Sequence, residues 1–218
     1  MAGGSDSALV LDPLDVRILS GLTAMGVLVG LVLFRSQGPA LAGGFREVRA
    51  ERRVPRALEI LWVAVVIVPL FALFAGAGWP ELVLSSPLSV RFPADTALQL
   101  LGYGLLAVGG FLAFTAIRHL GKFMVIQIAV SRDHQLVTSG PYGRIRHPLY
   151  TGIMMMTIGA AMFYLNVALL VDAIVVIAIA HYRAGIEESL LSSPQGFGLV
   201  YRAYVARTGR FLPKLRLR

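Results

Sequence analysis

Five runs of mostly apolar residues dominate this chain, at 18–34, 57–79, 96–117, 149–165 and 167–182. About 20 such residues cross the hydrocarbon core of a bilayer as a helix, the one local structure that satisfies its own backbone there. A mean hydropathy of +0.73 with only 15% charged residues leaves too little charge to solvate a globular surface. The chain therefore reads as all-α, a polytopic integral membrane protein with about five transmembrane helices. The last two runs are short, each roughly 25 Å at 1.5 Å per residue. Only Asn166 separates them, so they read as a tight helical hairpin. Gly26 and Gly30 in the first run form a small-xxx-small pair suited to helix packing.

The basic residues orient the spans. Of 20 Lys plus Arg, six lie at 35–56, five at 118–146 and seven at 183–218, leaving only Arg17 and Arg91 elsewhere. Five spans place these three segments on one side, and the positive-inside rule makes that side cytoplasmic with the N-terminus outside. The net charge of +8 then reflects topology and contact with anionic membrane lipids. The charges flank membrane spans and form no nucleic-acid-binding motif, so no nucleic-acid partner is expected. Residues 1–7 lack a basic n-region, so no cleavable signal peptide is expected. The chain has no cysteine, which excludes disulfides, thiolate metal sites and cysteine nucleophiles.

Polar chemistry collects in two stretches flanking the hairpin, 119–150 and 181–218. The first contains Gly140-Pro141-Tyr142-Gly143-Arg144-Ile145-Arg146-His147-Pro148-Leu149-Tyr150-Thr151-Gly152, a basic segment that opens directly into an apolar run. A short antiparallel hairpin brings its two ends together, so His147, Pro148 and Tyr150 should approach Arg183, Glu187 and Glu188. Arg183 and Glu187 are four residues apart and share a helix face. By itself that pair is a weak surface ion pair. Two adjacent carboxylates in a basic zone also suit ribose hydroxyls or a ligand ammonium. Beyond them Phe197, Val200, Tyr201, Tyr204 and Val205 follow a helical period, an interfacial amphipathic helix or a lid over the hairpin mouth. His119, His134, His147 and His181 show no H-x-x-x-H spacing, so no metal site is expected. The chain has no phosphate-binding P-loop, no G-x-S-x-G elbow and no strand-borne G-x-G-x-x-G.

In order along the chain stand Leu136-Val137-Thr138-Ser139-Gly140-Pro141-Tyr142, Arg146-His147-Pro148-Leu149-Tyr150-Thr151-Gly152, Glu187-Glu188 with Leu191, Phe197-Gly198 with Tyr201 and Tyr204, and Arg210-Phe211-Leu212-Pro213. This set, over 127–213, resembles the isoprenylcysteine carboxyl methyltransferase and phospholipid methyltransferase superfamily. The resemblance implies an S-adenosylmethionine-dependent methyltransferase embedded in a membrane. It implies that Gln127, His134, Gln135, Leu136, Val137, Tyr142, His147, Pro148, Leu149, Tyr150 and Glu187 contact the cofactor. It places Arg183 against the acceptor and Asn166 at the hairpin turn. The chain departs at 192–196, where the link between Glu188 and Phe197 is longer than usual.

The implied partner is a lipophilic small molecule or a prenylated substrate; oligomeric state is not legible. A sulfonium methyl is already electrophilic, so alignment and water exclusion carry most of the catalysis. An acceptor carboxylate needs no base, and Arg183 would hold it; an amine or thiol would call on Glu188 or His181. Arg183 and Glu188 are therefore the catalytic candidates. The chain divides into a three-span region, 1–117, and a cofactor-binding region, 118–218. Alternative functions are phospholipid amine or thiol methylation, a sterol-reductase-like enzyme using NADPH, and a non-catalytic membrane protein that binds lipid or a partner.

Overall fold

The computed structural model describes residues 11–36, 48–51, 54–90, 95–124, 128–131 and 134–214. The helices are α1 (Pro13–Ser36), α2 (Arg56–Gly78), α3 (Pro80–Leu84), α4 (Asp95–Leu120), α5 (Pro148–Tyr164), α6 (Val167–Leu191) and α7 (Leu199–Arg207). Four of them, α1, α2, α4 and α6, are long and apolar enough to cross a membrane. Phe71, Phe111, Leu101 and Ile174 are at least 59% exposed, an apolar surface that fits lipid rather than water.

The five expected runs appear as these four long helices and the 17-residue α5. The final run is not short: α6 continues nine residues past Tyr182 to Leu191, with Arg183, Ala184 and Leu190 buried along that extension. Arg183, Glu187 and Glu188 thus ride on one uninterrupted helix rather than following it. The expected division after residue 117 falls inside α4.

One element was not expected. A strand β1 (Val48–Glu51), between α1 and α2, pairs antiparallel with β2 (Ala129–Ser131), with Glu51 opposite Ala129 and a bulge between Val48 and Ala50. Through this ladder the first loop reaches the segment between α4 and α5.

The α5–α6 turn forms as Asn166 suggests. Leu165 caps α5 in the left-handed region at φ 50°. The Asn166 side chain accepts from the N–H groups of Ala168 at 2.9 Å and Leu169 at 3.4 Å, two donors otherwise orphaned at a helix start. The turn is further satisfied by the segment before α4: Val90 N–H donates to Leu165 O and Val167 N–H to Leu88 O.

Helices α4 and α5 meet along a glycine seam. A β-carbon on Gly102 would lie 2.8 Å from Gly159 O, and one on Gly159 would lie 2.7 Å from Gly102 O. Seven residues along, Gly109 and Gly152 repeat the relationship, as an antiparallel pair with matched heptad spacing requires. Gly26 and Gly30 do not form such a seam. A β-carbon on Gly26 would meet nothing within 4 Å, and one on Gly30 would make only ordinary contact with Phe114 at 3.8 Å.

Candidate active site

The α5–α6 hairpin carries its two polar ends to one place. His147 precedes Pro148, the first residue of α5, and Glu188 lies in the last turn of α6. Their side chains meet with His147 Nε2 3.1 Å from Glu188 Oε1, while His147 Nδ1 lies 3.7 Å from Glu187 Oε2. The imidazole is buried and stacks on the Tyr150 ring, centroids 5.5 Å apart. Tyr150 in turn stands within hydrogen-bonding reach of both Arg183 and Glu187.

His147, Tyr150, Arg183 and Glu187 line a cavity of ≈ 390 Å³, within the range of small-molecule sites. Its polar wall comprises Tyr142, Arg146, His147, Tyr150, Arg183 and Glu187, with Tyr201 and Tyr204 from α7. Its apolar wall is Ala113, Ile117 and Leu120 of α4, Leu149 and Ile153 of α5, and Trp62 of α2. Aromatic rings close one side: Phe123 stacks on His134 with centroids 4.9 Å apart, and Phe197 meets His134 edge-on at 5.6 Å.

Most of the expected cofactor residues converge there. His134, Leu136, Val137, Tyr142, His147, Leu149, Tyr150 and Glu187 all line the cavity, as does Arg183, the residue expected against the acceptor. Pro148 does not; it is buried as the opening residue of α5. Gln135 is exposed and does not line it. Gln127 lies outside the described residues. His181 sits off the cavity, with its Nε2 3.4 Å from Arg210 Nη1.

Glu188 is turned away from the cavity. Its Oε1 accepts from Arg146 Nε at 2.9 Å, and its Oε2 lies 3.2 Å from Arg210 Nη2. With His147 on Oε1 as well, the carboxylate is occupied by three partners. A carboxylate held by two guanidinium groups is a poor proton acceptor, so Glu188 reads as a clamp rather than a base.

The clamp fixes the tail. Arg146 Nη1 donates to Thr208 O at 2.5 Å and Val205 O at 3.4 Å, satisfying carbonyls at the end of α7. Gly209 N–H donates to Arg144 O, Arg146 N–H to Gly209 O and His147 N–H to Arg210 O. Thr151 Oγ1 donates to Phe211 O at 2.9 Å. The motif Arg210-Phe211-Leu212-Pro213 is thus the chain that straps the start of α5.

Helix α7 forms the roof. Tyr201 and Tyr204 are buried beneath it, whereas Val200, expected on the same face, is 64% exposed. Phe197 lies in the turn before the helix, where Gly198 adopts φ 54°. The long link at 192–196 folds back on α6: Ser193 Oγ donates to Leu190 O, and Phe197 N–H donates to Leu191 O. Tyr204 OH donates to Tyr142 O at 2.7 Å. Burial pushes the Tyr204 phenol up to about 12. Burial, reinforced by the nearby Glu187 carboxylate, pushes the Tyr142 phenol higher still. Both remain hydrogen-bond donors at neutral pH.

Trp62, Phe123, Arg146, Phe197, Tyr201 and Tyr204 were not among the expected site residues. Tyr201, Tyr204 and Phe197 carried a signal in the helical period of the tail. Trp62 carried none, because nothing in the α2 sequence distinguishes its cavity face from its lipid face.

The phospholipid methyltransferase family model matches residues 98–194, from the glycine seam to the end of α6. Protein-S-isoprenylcysteine O-methyltransferase B of Arabidopsis thaliana is 31% identical over 115 residues, covering 51% of this chain and 57% of that one. The Schizosaccharomyces pombe protein-S-isoprenylcysteine O-methyltransferase is 29% identical over 161 residues, covering 70% and 66% respectively. The Tribolium castaneum protein of the same name is 30% identical over 149 residues, covering 66% and 52%. The chain thus spans between about half and two thirds of the length of these relatives. Among solved structures, the eukaryotic intramembrane Ras methyltransferase ICMT (isoprenylcysteine carboxyl methyltransferase) superposes with a TM-score of 0.58 at 21% identity, covering 94% of this chain and 69% of that one. The family match over the hairpin and the relatives of one name point the same way, and the solved structure shares the membrane fold: this chain is similar to the isoprenylcysteine carboxyl methyltransferases and the phospholipid methyltransferases.

Proposed function

We propose that the protein transfers a methyl group from S-adenosylmethionine to the carboxylate of an isoprenylcysteine-like or other isoprenoid lipid. The reaction takes place where the basic loops meet the membrane, on the cytoplasmic side. The observation that carries this reading is the composition of one cavity: Glu187, His147 and Tyr142 share it with Ala113, Ile117 and Ile153 of the membrane helices. A water-soluble methyl donor and a lipid acceptor need such a shared space.

The side chains present fit the donor. S-adenosylmethionine supplies, when bound, a methyl on a positively charged sulfur. The Glu187 carboxylate can accept from its ammonium or its ribose hydroxyls. The rings of Tyr142, Tyr150, Phe123 and Phe197 offer faces to a cation and to a planar base. Arg183 stands one helical turn from Glu187, beside Tyr150 and Trp62, and holds the acceptor carboxylate by a charge-assisted contact. The tyrosine roof and the α4 wall exclude water, leaving alignment as the main source of rate. No general base is required, in keeping with the engaged state of Glu188. Methylation of a phospholipid amine or thiol is the second reading; it requires a free base, which the Glu188 contacts disfavour.

Calorimetry of S-adenosylmethionine on detergent-purified protein tests the site. Binding lost in both Glu187→Ala and His147→Ala, with each variant folded, is the expected result; unchanged binding in both overturns it. A panel of carboxylate, amine and thiol acceptors with labelled methyl donor then separates the two reactions. Arg183→Ala should raise KM for a carboxylate acceptor by roughly 10- to 100-fold, the worth of one charged hydrogen bond, with donor binding retained.

A further inference from the structure

Trp62 separates two spaces. On one side is the catalytic cavity. On the other is a second, more open hollow of ≈ 460 Å³ on the lipid-facing flank of α2. Its walls are Arg56, Glu59, Ile60, Val63 and Ala64, and Trp62 and Arg183 line both spaces. The partition is therefore one indole and one guanidinium thick. The Arg183 guanidinium lies over the indole at 5.6 Å, and the Tyr150 ring meets it edge-on, also at 5.6 Å.

We propose that Trp62 is the specificity-determining residue for the acceptor's hydrocarbon chain. The hollow along Ile60, Val63 and Ala64 receives the chain from the bilayer, and the position of the indole sets how bulky a chain reaches Arg183. This rests on the reading of Arg183 as the acceptor-binding residue. The occupant is fixed by three features. Ile60 and Val63 are 62% and 48% exposed among the described residues, an open apolar track. Arg56, the first residue of α2, supplies a cation to the wall of the same hollow. Arg183 is buried to 3% exposure where the track meets the cavity, so a ligand with an apolar chain and an anionic head matches the track at both ends. A soluble ligand would leave the track unused.

An indole is the largest side chain that can stand in such a passage, and Ala in its place joins the two hollows. Pocket contacts of one methylene discriminate by roughly 10- to 200-fold. Loss of the whole ring should therefore change chain preference by at least about tenfold.

The test compares N-acetyl-S-farnesylcysteine with N-acetyl-S-geranylgeranylcysteine as acceptors for full-length wild type, Trp62→Ala, Trp62→Phe and Ala64→Trp. Trp62→Ala is expected to shift the kcat/KM ratio toward the longer chain by tenfold or more, a ratio in which any common change in donor affinity cancels. Trp62→Phe should lie between. Ala64→Trp, which fills the track without touching Tyr150, should raise KM for both acceptors and leave donor affinity alone. An unchanged ratio in Trp62→Ala together with an unchanged KM in Ala64→Trp overturns the proposal, as does a donor affinity that falls in step with acceptor turnover in Ala64→Trp. The chain has two tryptophans, so Trp79→Phe leaves Trp62 as the only indole. Quenching of its emission by a dansylated farnesylcysteine reads chain docking without catalysis. Quenching without methylation of any carboxylate rejects the proposed reaction and keeps the gate; methylation without quenching rejects the gate and keeps the reaction.

Discussion

Gly109 and Gly152 approach so closely that a β-carbon on Gly152 would lie 2.6 Å from Gly109 O, and one on Gly109 would lie 2.7 Å from Gly152 O. Both obstacles are backbone atoms, which cannot rotate aside. Gly152→Ala must therefore separate α4 from α5 and should destabilise the fold by about 1–3 kcal/mol, the usual range for overpacking. Gly104 of α4 provides the control, since a β-carbon there meets nothing within 4 Å. Gly104→Ala should be neutral or stabilising by about 0.5–1 kcal/mol through helix propensity. Thermal unfolding in one detergent should show opposite signs for the two variants; equal shifts would remove the seam from the account of stability.

The clamp reading of Glu188 predicts a release of structure. Glu188→Ala leaves Arg146 and Arg210 without their shared anion, and the strap over α5 loses its anchor. The contacts are partly buried, with side-chain exposures of 11% and 21% for Arg146 and Glu188, so a loss of about 1–3 kcal/mol is expected. Trypsin should cut near Arg207 or Arg210 faster than in wild type. Arg210→Ala combined with Glu188→Ala should cost less than the two single losses added together, as expected for groups in one network. If Glu188 acted as a base, its loss would abolish turnover and leave tryptic cleavage unchanged.

Much of this was legible in the sequence, for identifiable reasons. Membrane helices announce themselves by hydropathy alone, and Asn166 between two apolar runs is a capping signal that has no strong competitor. The convergence of His147 with Glu187 and Glu188 followed from hairpin topology. The polar continuation of α6 to Leu191 was missed because hydropathy stops at Tyr182 while the helix does not. Charged residues that end an apolar run need not end its hydrogen-bond ladder. The α4–α5 seam was missed because Gly102, Gly109, Gly152 and Gly159 lie seven apart, and the more familiar Gly26–Gly30 spacing drew attention instead. The base role of Glu188 depended on which of two adjacent carboxylates faces the cavity. Sequence cannot decide that; the rotation of one helix does.

The hairpin turn should be sensitive to its cap. Asn166→Ala removes the acceptor for the N–H groups of Ala168 and Leu169, at a cost of about 1 kcal/mol. Asn166→Asp keeps the acceptor and should recover most of that loss. The effect should appear in thermal stability with the affinity for S-adenosylmethionine unchanged, because the turn lies at the opposite end of α5 and α6 from His147 and Glu187. A loss of donor affinity in Asn166→Ala would mean that the hairpin transmits strain along its length.

Tyr204 supplies the pH dependence. Its phenol is pushed from the ordinary 10.0 to about 12 in the fold, chiefly by burial, with Arg146 and Thr208 opposing the shift. The folded state favours the neutral phenol, which donates to Tyr142 O. The stabilisation is therefore complete below pH 10 and is lost as pH rises from 10 through 12. The phenols of Tyr142 and Tyr201 are raised further, so Tyr204 should ionise before them. Tyr204→Phe should lower stability at neutral pH by about 1–3 kcal/mol, the cost of a buried carbonyl left without its donor. It should also make the decline between pH 10 and 12 shallower, because one of the phenols that titrate there is gone. Thermal melts at pH 7, 10 and 12, with tyrosinate absorbance followed in parallel, check both expectations. An alkaline decline as steep in Tyr204→Phe as in wild type would place the titrating group elsewhere.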